Sequence, residues 1–274
     1  MKTKIFKQEA KKSLKGKFKK SLLMVLVFFI TQLLTSLLIG WLMFKTQYDL
    51  ILAAISIIIM PTLGYGLIAS FIRLKREEKV NCFSTLYYGI RDLDKVWKVL
   101  GKYIFKMLII IIPLILCAYL LFIQIVSFAI GYGMDISFFV GLFGTITFGI
   151  LLITQMLYYS LNNYILYDYN DFKAKEILKK SKELMKNNRW NLFKLGLSFT
   201  GWYFLAIAIS ALIIVAIFLI FKINNYALVY ITYIPLIFLF PYQYTTLICF
   251  YESLKGANEK ETREKIKNKK SKKK

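Results

Sequence analysis

The sequence predicts an all-α, polytopic membrane protein with six transmembrane helices in three hairpins, each preceded by a cytoplasmic amphipathic interfacial helix. Two observations predict this class. The composition is 58% hydrophobic and 17% aromatic, and the mean hydropathy is +0.55. The charged residues are also segregated, whereas a soluble domain interleaves them with apolar residues. Six long stretches contain no Asp, Glu, Lys or Arg.

These charge-free stretches define the predicted spans. A helix needs roughly 20 apolar residues to cross a bilayer core of about 30 Å, so each stretch suffices for one crossing and is too short for two. The period-2 alternation of a membrane β-barrel is absent. We expect the first span to remain as an anchor, because its apolar run is longer than a signal-peptide core. The predicted spans lie at about 21–44, 50–72, 107–134, 136–160, 195–221 and 226–250 of a single domain, residues 1–254.

The distribution of Lys and Arg predicts the orientation. Of the 38 basic residues, all but Lys45 and Lys222 lie in or beside the segments on one side of the spans. Short loops rich in Lys and Arg stay in the cytoplasm. We therefore expect a multi-pass protein of the plasma membrane with both termini cytoplasmic. Residues 255–274 are rich in lysine and poor in apolar residues, which predicts a disordered cytoplasmic tail.

A basic segment with apolar residues at helical spacing precedes the first, third and fifth spans, at residues 4–20, 82–98 and 171–189. Such a helix lies in the plane of the lipid headgroups, where aromatic rings and long lysine side chains are well placed. Asp171 is the predicted N-cap of the third segment. Whether the three units form a true repeat is left open. The predicted site residues of the interfacial basic helix are Lys179, Lys180, Lys182, Lys186, Arg189 and the aromatic Trp190.

The residues that chemistry inside a membrane would need are missing from the spans. Proton relays and intramembrane hydrolases use ionisable groups at depth, and the charge-free stretches hold no acidic or basic residue. The chain contains no His and only three Cys, which excludes a Ser/His/Asp triad and the usual Cys/His zinc sites. We therefore predict no enzyme, no catalytic residue, no cofactor and no metal. The pairs Asp92/Asp94 and Asp168/Asp171 are interpreted as charge balance and capping.

Neutral polar residues lie toward the cytoplasmic ends of the even-numbered spans. They would either converge on a polar vestibule or hold the helices together, and helix packing is the favoured interpretation. The four prolines, at 61, 113, 235 and 241, predict kinks, most of all in the sixth span. The candidate vestibule residues are Thr62, Tyr65, Gln155, Tyr159, Asn162, Asn163, Tyr242, Gln243 and Thr246.

Three blocks carry a resemblance to a known family: "KQEAKKSLKGKFKKSLLM" near the N-terminus, residues 163–202, and "PYQYTTLICFYESLK" at 241–255. The chain resembles a family of bacterial integral membrane proteins classed as domain of unknown function 975. In this chain the turn before Trp190 is Asn-Asn, which departs from the glycine-containing form of that family. The resemblance implies a multi-pass plasma membrane protein. It implies no activity and supplies no functional residues.

Two functional hypotheses follow. The first is a non-enzymatic membrane protein that binds lipid, with anionic headgroups, or partner proteins through the basic segments at the inner surface. The alternative is a transporter or transport-accessory protein for a neutral, hydrophobic or zwitterionic solute that uses the polar vestibule. The net charge of +23 first suggests nucleic acid. Topology and attraction to anionic lipid explain the charge better, so a nucleic-acid partner is disfavoured.

Overall fold

The computed structural model describes residues 3–46, 48–133, 135–222 and 233–271. Within these residues the secondary structure is helical, without strands. This confirms the predicted all-α class. The helices are α1 (Thr3–Leu14), α2 (Phe18–Lys45), α3 (Asp49–Lys75), α4 (Ser84–Arg91), α5 (Leu93–Ala129), α6 (Ile136–Tyr158), α7 (Asn162–Asp168), α8 (Ala174–Met185), α9 (Arg189–Phe221) and α10 (Tyr233–Ser271).

Six helical segments are long and apolar enough to cross a membrane, in agreement with the six predicted spans. Large apolar side chains are exposed on the surface of these segments, most of all in α5, as in Ile109 (64%) and Phe122 (63%). A helix that is apolar on all sides and unburied suits hydrocarbon rather than water. The six segments are Phe18–Lys45, Ile55–Lys75, Leu93–Ala129, Ile136–Asp168, Arg189–Ile220 and Ile234–Lys260.

Some helix boundaries differ from the predicted ones. α5 begins at Leu93, so the predicted interfacial segment 82–98 is divided between α4 and the first turn of α5. α10 continues as a helix to Ser271, where the sequence predicted a disordered tail from residue 255. No Gly or Pro follows Gly256, and Glu precedes Lys or Arg by four residues twice in the tail, which stabilises a helix. The predicted start of the sixth span at 226 lies outside the described residues.

The prolines do not interrupt the helices that contain them. α3, α5 and α10 continue through Pro61, Pro113 and Pro241. The interruption instead falls between α6 and α7, in the fourth predicted span, where turn residues 159–161 separate the two helices. A proline can bend a helix without interrupting it, so the predicted kinks, most of all in the sixth span, stay a prediction.

The chain divides into two compact units. The first comprises Met1–Val96 and Trp190–Lys274, and the second comprises Trp97–Arg189. In the first unit α1 packs against α10 through Phe6, Ala10 and Leu14, which form one buried stripe at a spacing of four residues. The ring of Phe6 meets that of Phe250 edge to face, with centroids 5.5 Å apart. The interior of this unit is thus built on α1, α3 and α10.

A close backbone approach joins α3 and α4 in the first unit. A Cβ added to Gly66 would collide with the carbonyl oxygen of Thr85 and lie 2.8 Å from the amide nitrogen of Gly89. A Cβ on Gly89 would lie 2.7 Å from the carbonyl oxygen of Thr62. Gly66 lies beside Thr85, and Thr62 lies beside Gly89. Residue numbers therefore decrease along α3 as they increase along α4, which makes the two helices antiparallel. Only glycine permits this separation.

In the second unit, two glycines allow an equally close approach of α5 and α6. A Cβ on Gly141 would lie 2.7 Å from the amide nitrogen of Leu121, and one on Gly144 would meet the side chain of Cys117. Small residues at such crossings allow membrane helices to pack closely. α8 packs against α7 and α6 in the same unit.

Candidate functional site

The basic helix α8 buries its apolar stripe in protein. Ile177, Leu178 and Met185 are at most 1% exposed, and the hydroxyl of Ser181 donates to the carbonyl oxygen of Tyr158 over 2.8 Å. The stripe lies in the predicted segment and has the predicted helical spacing. The interfacial interpretation placed it against lipid, but neighbouring helices cover it. An apolar face requires an apolar environment and does not specify which one. The helix is therefore fixed on the protein with its lysines outward.

Aromatic rings hold several of the predicted basic residues in place. The ammonium of Lys180 lies 3.4 Å from the ring centroid of Tyr169. The guanidinium of Arg189 lies 4.3 Å from the ring centroid of Tyr158, and the ammonium of Lys182 lies 5.5 Å from the same centroid. Such contacts contribute about 0.5–1 kcal/mol each at exposed sites. They orient part of the basic face and leave its ammonium groups at the surface.

The remaining predicted members of this face are exposed. Lys179 lies 4.0 Å from Glu183, at the limit of an ion pair, and Lys186 is exposed in the turn after α8. Trp190 is 63% exposed and stacks on Phe193 at 5.1 Å. The structure thus brings Lys179, Lys180, Lys182 and Lys186 onto the outer face of one short helix and its turn.

The start of α8 differs from the predicted one. α8 begins at Ala174 with Lys173 at the N-cap, and the predicted cap, Asp171, lies in the preceding turn. The carboxylate of Glu176 accepts a hydrogen bond of 2.8 Å from the backbone N–H of Lys173. Glu176 therefore supplies the negative charge near the positive helix end.

α4 presents the opposite pattern from α8. Its small and polar residues face α3: Ser84, Thr85 and Gly89 are buried, and Ser84 donates to Ser70 over 2.9 Å. Its apolar residues point away, and Phe83 beside it is 68% exposed, as is Ile90. The predicted apolar stripe of this segment therefore lies on the exposed side, where it suits contact with lipid.

The first basic helix, α1, is tied to α9 and α10. The ammonium of Lys7 donates to the carbonyl oxygen of Ser198 over 2.9 Å and lies 4.4 Å from the ring centroid of Phe199. Burial lowers the pKa of Lys7. The hydroxyl of Tyr242 donates to the carbonyl oxygen of Lys7 over 3.4 Å. α1 is thus held at the level of Ser198 and Tyr242.

Ion pairs link three chain segments at one end of the first unit. Lys75, at the end of α3, pairs with Glu9 of α1 at 3.2 Å and also with Glu252 of α10. Lys17 pairs with Glu77 over 2.9 Å, and this hydrogen bond and charge lower the pKa of the Glu77 carboxyl. Segments that the charge pattern assigned to the same membrane side are therefore in direct contact.

A buried carboxylate lies where α4 meets α5. Asp92 is 5% exposed and accepts hydrogen bonds from the hydroxyl of Tyr65 at 3.0 Å and from the guanidinium of Arg91 at 2.8 and 3.1 Å. Hydrogen bonding to Asp92 raises the pKa of Arg91. Asp94 is exposed. The sequence interpretation gave both acids the same role, because nothing in the local pattern distinguishes the buried one.

The predicted vestibule residues fall in both units, so their convergence stays a prediction. Five of the nine belong to the first unit and have hydrogen-bond partners within the protein: Thr62, Tyr65, Tyr242, Gln243 and Thr246. Thr62 donates to the carbonyl oxygen of Ile58, Thr246 to that of Tyr242, and Gln243 accepts a hydrogen bond from Tyr203. Hydroxyls bonded within their own helix are free of any need for water or a solute. These contacts fit the favoured packing interpretation.

The other four candidates belong to the second unit. The hydroxyl of Tyr159 accepts from the ammonium of Lys106 at 3.2 Å. Asn162 is buried at the start of α7, and Gln155 and Asn163 are half-buried. Across the described part of the chain, no three Cys, Asp or Glu side chains are grouped closely enough to hold a metal ion.

Six membrane-crossing helices with basic helical segments packed at their ends define a multi-pass helical membrane protein. The chain belongs to the family described as Protein of unknown function (DUF975), which matches residues 1–258. This confirms the resemblance drawn from the three sequence blocks. No curated protein and no solved structure matches the chain.

Proposed function

We propose that the chain is a non-enzymatic protein of the bacterial plasma membrane that binds anionic lipid or a partner protein at the inner surface. Both termini are cytoplasmic in this proposal. The three predicted hairpins then direct the basic segments around α1, α4 and α8 toward that surface. The observation that carries the proposal is the construction of α8, whose apolar side is buried while its lysines remain outside.

This construction favours binding because α8 is already fixed. An isolated amphipathic helix loses conformational entropy when it folds on a membrane. α8 avoids that cost, since its apolar stripe is covered and Tyr169 and Tyr158 hold two of its lysines. Each basic residue near an anionic surface adds about 1 kcal/mol of attraction. The candidate vestibule side chains Thr62, Gln243 and Thr246 are by contrast hydrogen-bonded within the protein, which gives the transporter alternative less support.

Removing the charge of α8 should weaken its association with anionic membranes. We expect Lys179→Gln, Lys180→Gln and Lys182→Gln together to abolish the difference in α8 hydrogen exchange between phosphatidylglycerol-containing and pure phosphatidylcholine nanodiscs. Three charges at about 1 kcal/mol each amount to about 3 kcal/mol at most, before screening by salt. Hydrogen–deuterium exchange read by mass spectrometry provides the measurement.

The matched control keeps the charge and changes the side chain, through Lys179→Arg, Lys180→Arg and Lys182→Arg. This variant should behave as the parent chain does. If the parent itself shows no dependence on phosphatidylglycerol, and recovery of co-purifying proteins is also unchanged in the glutamine variant, the binding role of α8 is refuted.

A further inference from the structure

A cavity of about 1220 Å³ opens in the first unit between α1, α9 and α10. None of the nine predicted vestibule residues except Tyr242 lines it. Its volume exceeds the 300–1,000 Å³ that is usual for small-molecule pockets. The cavity therefore has room for a ligand larger than a typical metabolite.

Two walls of the cavity are apolar helix faces. α9 contributes Trp202, Leu205, Ala206 and Ile209, at the spacing i, i+3, i+4 and i+7 that places side chains on one face. α10 contributes a face of the same spacing, which runs from Pro235 to Tyr242. Trp202 is 55% exposed, although it lies between helices. These faces offer apolar surface that the described protein leaves uncovered.

The third wall is basic. The helix α1 and the turn that follows it present a second face to the cavity, and this face carries Gln8, Lys11, Lys12 and Lys15. Phe6 and Ala10 of the buried stripe lie away from the cavity, whereas Leu14, at the end of that stripe, also lines it. The three lysines are exposed, and the ion pairs of the described residues use other cations, such as Lys17 with Glu77. Three ammonium groups thus border one apolar cavity without a described counter-charge.

The basic and apolar parts lie at different levels along the helices. The contacts of Lys7 with Ser198 and Tyr242 fix α1 at one level of α9 and α10. From Trp202 the cavity wall extends along α9 to Ile209, which at 1.5 Å per residue is about 10 Å. One leaflet of a bilayer core about 30 Å thick is about 15 Å deep. The cavity therefore has a cationic end and an apolar length of about two thirds of the hydrocarbon depth of one leaflet.

We propose that this cavity is a binding site for an anionic phospholipid of the inner leaflet. Its phosphate lies among Lys11, Lys12 and Lys15, and its acyl chain lies against α9 and α10. Basic pockets between transmembrane helices on the cytoplasmic side suit anionic headgroups. A zwitterionic headgroup would place its own cation beside three ammonium groups. The site rests on the proposed function, because it requires α1 to lie at the inner surface.

Trp202 provides a local reporter for this site. The full chain with W41F, W97F and W190F retains Trp202 as its only tryptophan, and it is placed in phosphatidylcholine nanodiscs. The probe is phosphatidylglycerol brominated on its acyl chains, compared with equally brominated phosphatidylcholine. We expect brominated phosphatidylglycerol to quench Trp202 at lower mole fraction. K11Q, K12Q and K15Q together should weaken this preference by up to about a hundredfold before screening by salt, since each of the three basic residues near the headgroup contributes about fivefold.

Two further variants keep the result interpretable. K11R, K12R and K15R preserve the charge and should retain the preference, which guards against a folding defect in the glutamine variant. A206F fills the cavity at a residue that is 6% exposed and should reduce quenching by both lipids. The triple glutamine variant of Lys179, Lys180 and Lys182 removes the same charge from α8 and should leave quenching of Trp202 unchanged.

The outcomes separate the site from the proposed function. Equal quenching by both lipids, or quenching by neither, would overturn the anionic lipid site, and so would a preference that survives loss of the three α1 lysines. The binding role of α8 is read independently by hydrogen exchange, so it can stand when the cavity result is negative. Conversely, a selective signal at Trp202 can persist when α8 shows no dependence on anionic lipid.

Discussion

Gly66→Ala is expected to destabilise the first unit by about 3 kcal/mol, whereas Gly64→Ala should be neutral or stabilising by up to about 1 kcal/mol. The new Cβ at residue 66 would meet the backbone of Thr85 and Gly89. Backbone atoms cannot move aside as the end of a flexible side chain can. At Gly64, two residues away on α3, a Cβ meets no atom within 4 Å. Thermal unfolding of the detergent-solubilised chain, followed by size-exclusion chromatography, measures the difference.

The pair Gly64 and Gly66 forms a matched test of the α3–α4 contact. Both positions are helical, so the change in helix propensity is the same and cancels in the comparison. Gly89→Ala on the opposing helix should repeat the effect of Gly66→Ala, because its Cβ would approach the carbonyl oxygen of Thr62. Equal stability of the Gly64 and Gly66 variants would show that α4 does not lie against α3 in the protein.

Asp92→Ala is expected to cost about 3 kcal/mol of stability. The change leaves the fully buried hydroxyl of Tyr65 without its acceptor and Arg91 without its carboxylate partner. Arg91 keeps 42% of its side chain exposed, so water relieves part of the second loss. Thermal unfolding in the same detergent measures the effect. Asp94→Ala, at an exposed position of α5, should change stability by about 0.5 kcal/mol or less.

A double-mutant cycle distinguishes this contact from a general effect of the substitution. Tyr65→Phe removes the donor with little change of shape, and its cost should be largely absent when Asp92 is already alanine. Additive effects of Tyr65→Phe and Asp92→Ala would contradict a direct hydrogen bond. Similar losses in the Asp92 and Asp94 variants would contradict the buried position of Asp92.

The spans could be predicted from the sequence because hydrocarbon excludes charge, and this single constraint acts on every residue of a crossing helix. Residues such as Lys106 and Lys194 mark the ends of charge-free runs, although α5 and α9 continue as helices beyond them. The backbone of a helix keeps the same helical conformation where the helix leaves the membrane. Composition therefore locates the crossing and not the helix end, which explains why α5 starts fourteen residues before the predicted span.

The environment of each apolar stripe could not be predicted. The spacing of Ile177, Leu178 and Met185 gives the same pattern whether lipid or protein covers it, and the structure buries these side chains against neighbouring helices. In the α4 segment the apolar residues are exposed and the small ones face α3. Gly89 resembles a loop residue in sequence, since its role depends on a contact with Thr62 in the preceding helix α3. The cavity beside α1 was missed for the same reason, because its walls are distant in sequence.

The central claim is that nearly all cations lie on the cytoplasmic side of six crossing helices, and single-cysteine accessibility tests it most directly. In a chain from which Cys82, Cys117 and Cys249 have been removed, a membrane-impermeant maleimide is applied to intact cells. Lys45→Cys and Lys222→Cys should be labelled at once. Lys12→Cys, Lys179→Cys and Lys260→Cys should react only after the membrane is permeabilised. Labelling of any of these three in intact cells would contradict the proposed orientation and, with it, both lipid-binding proposals.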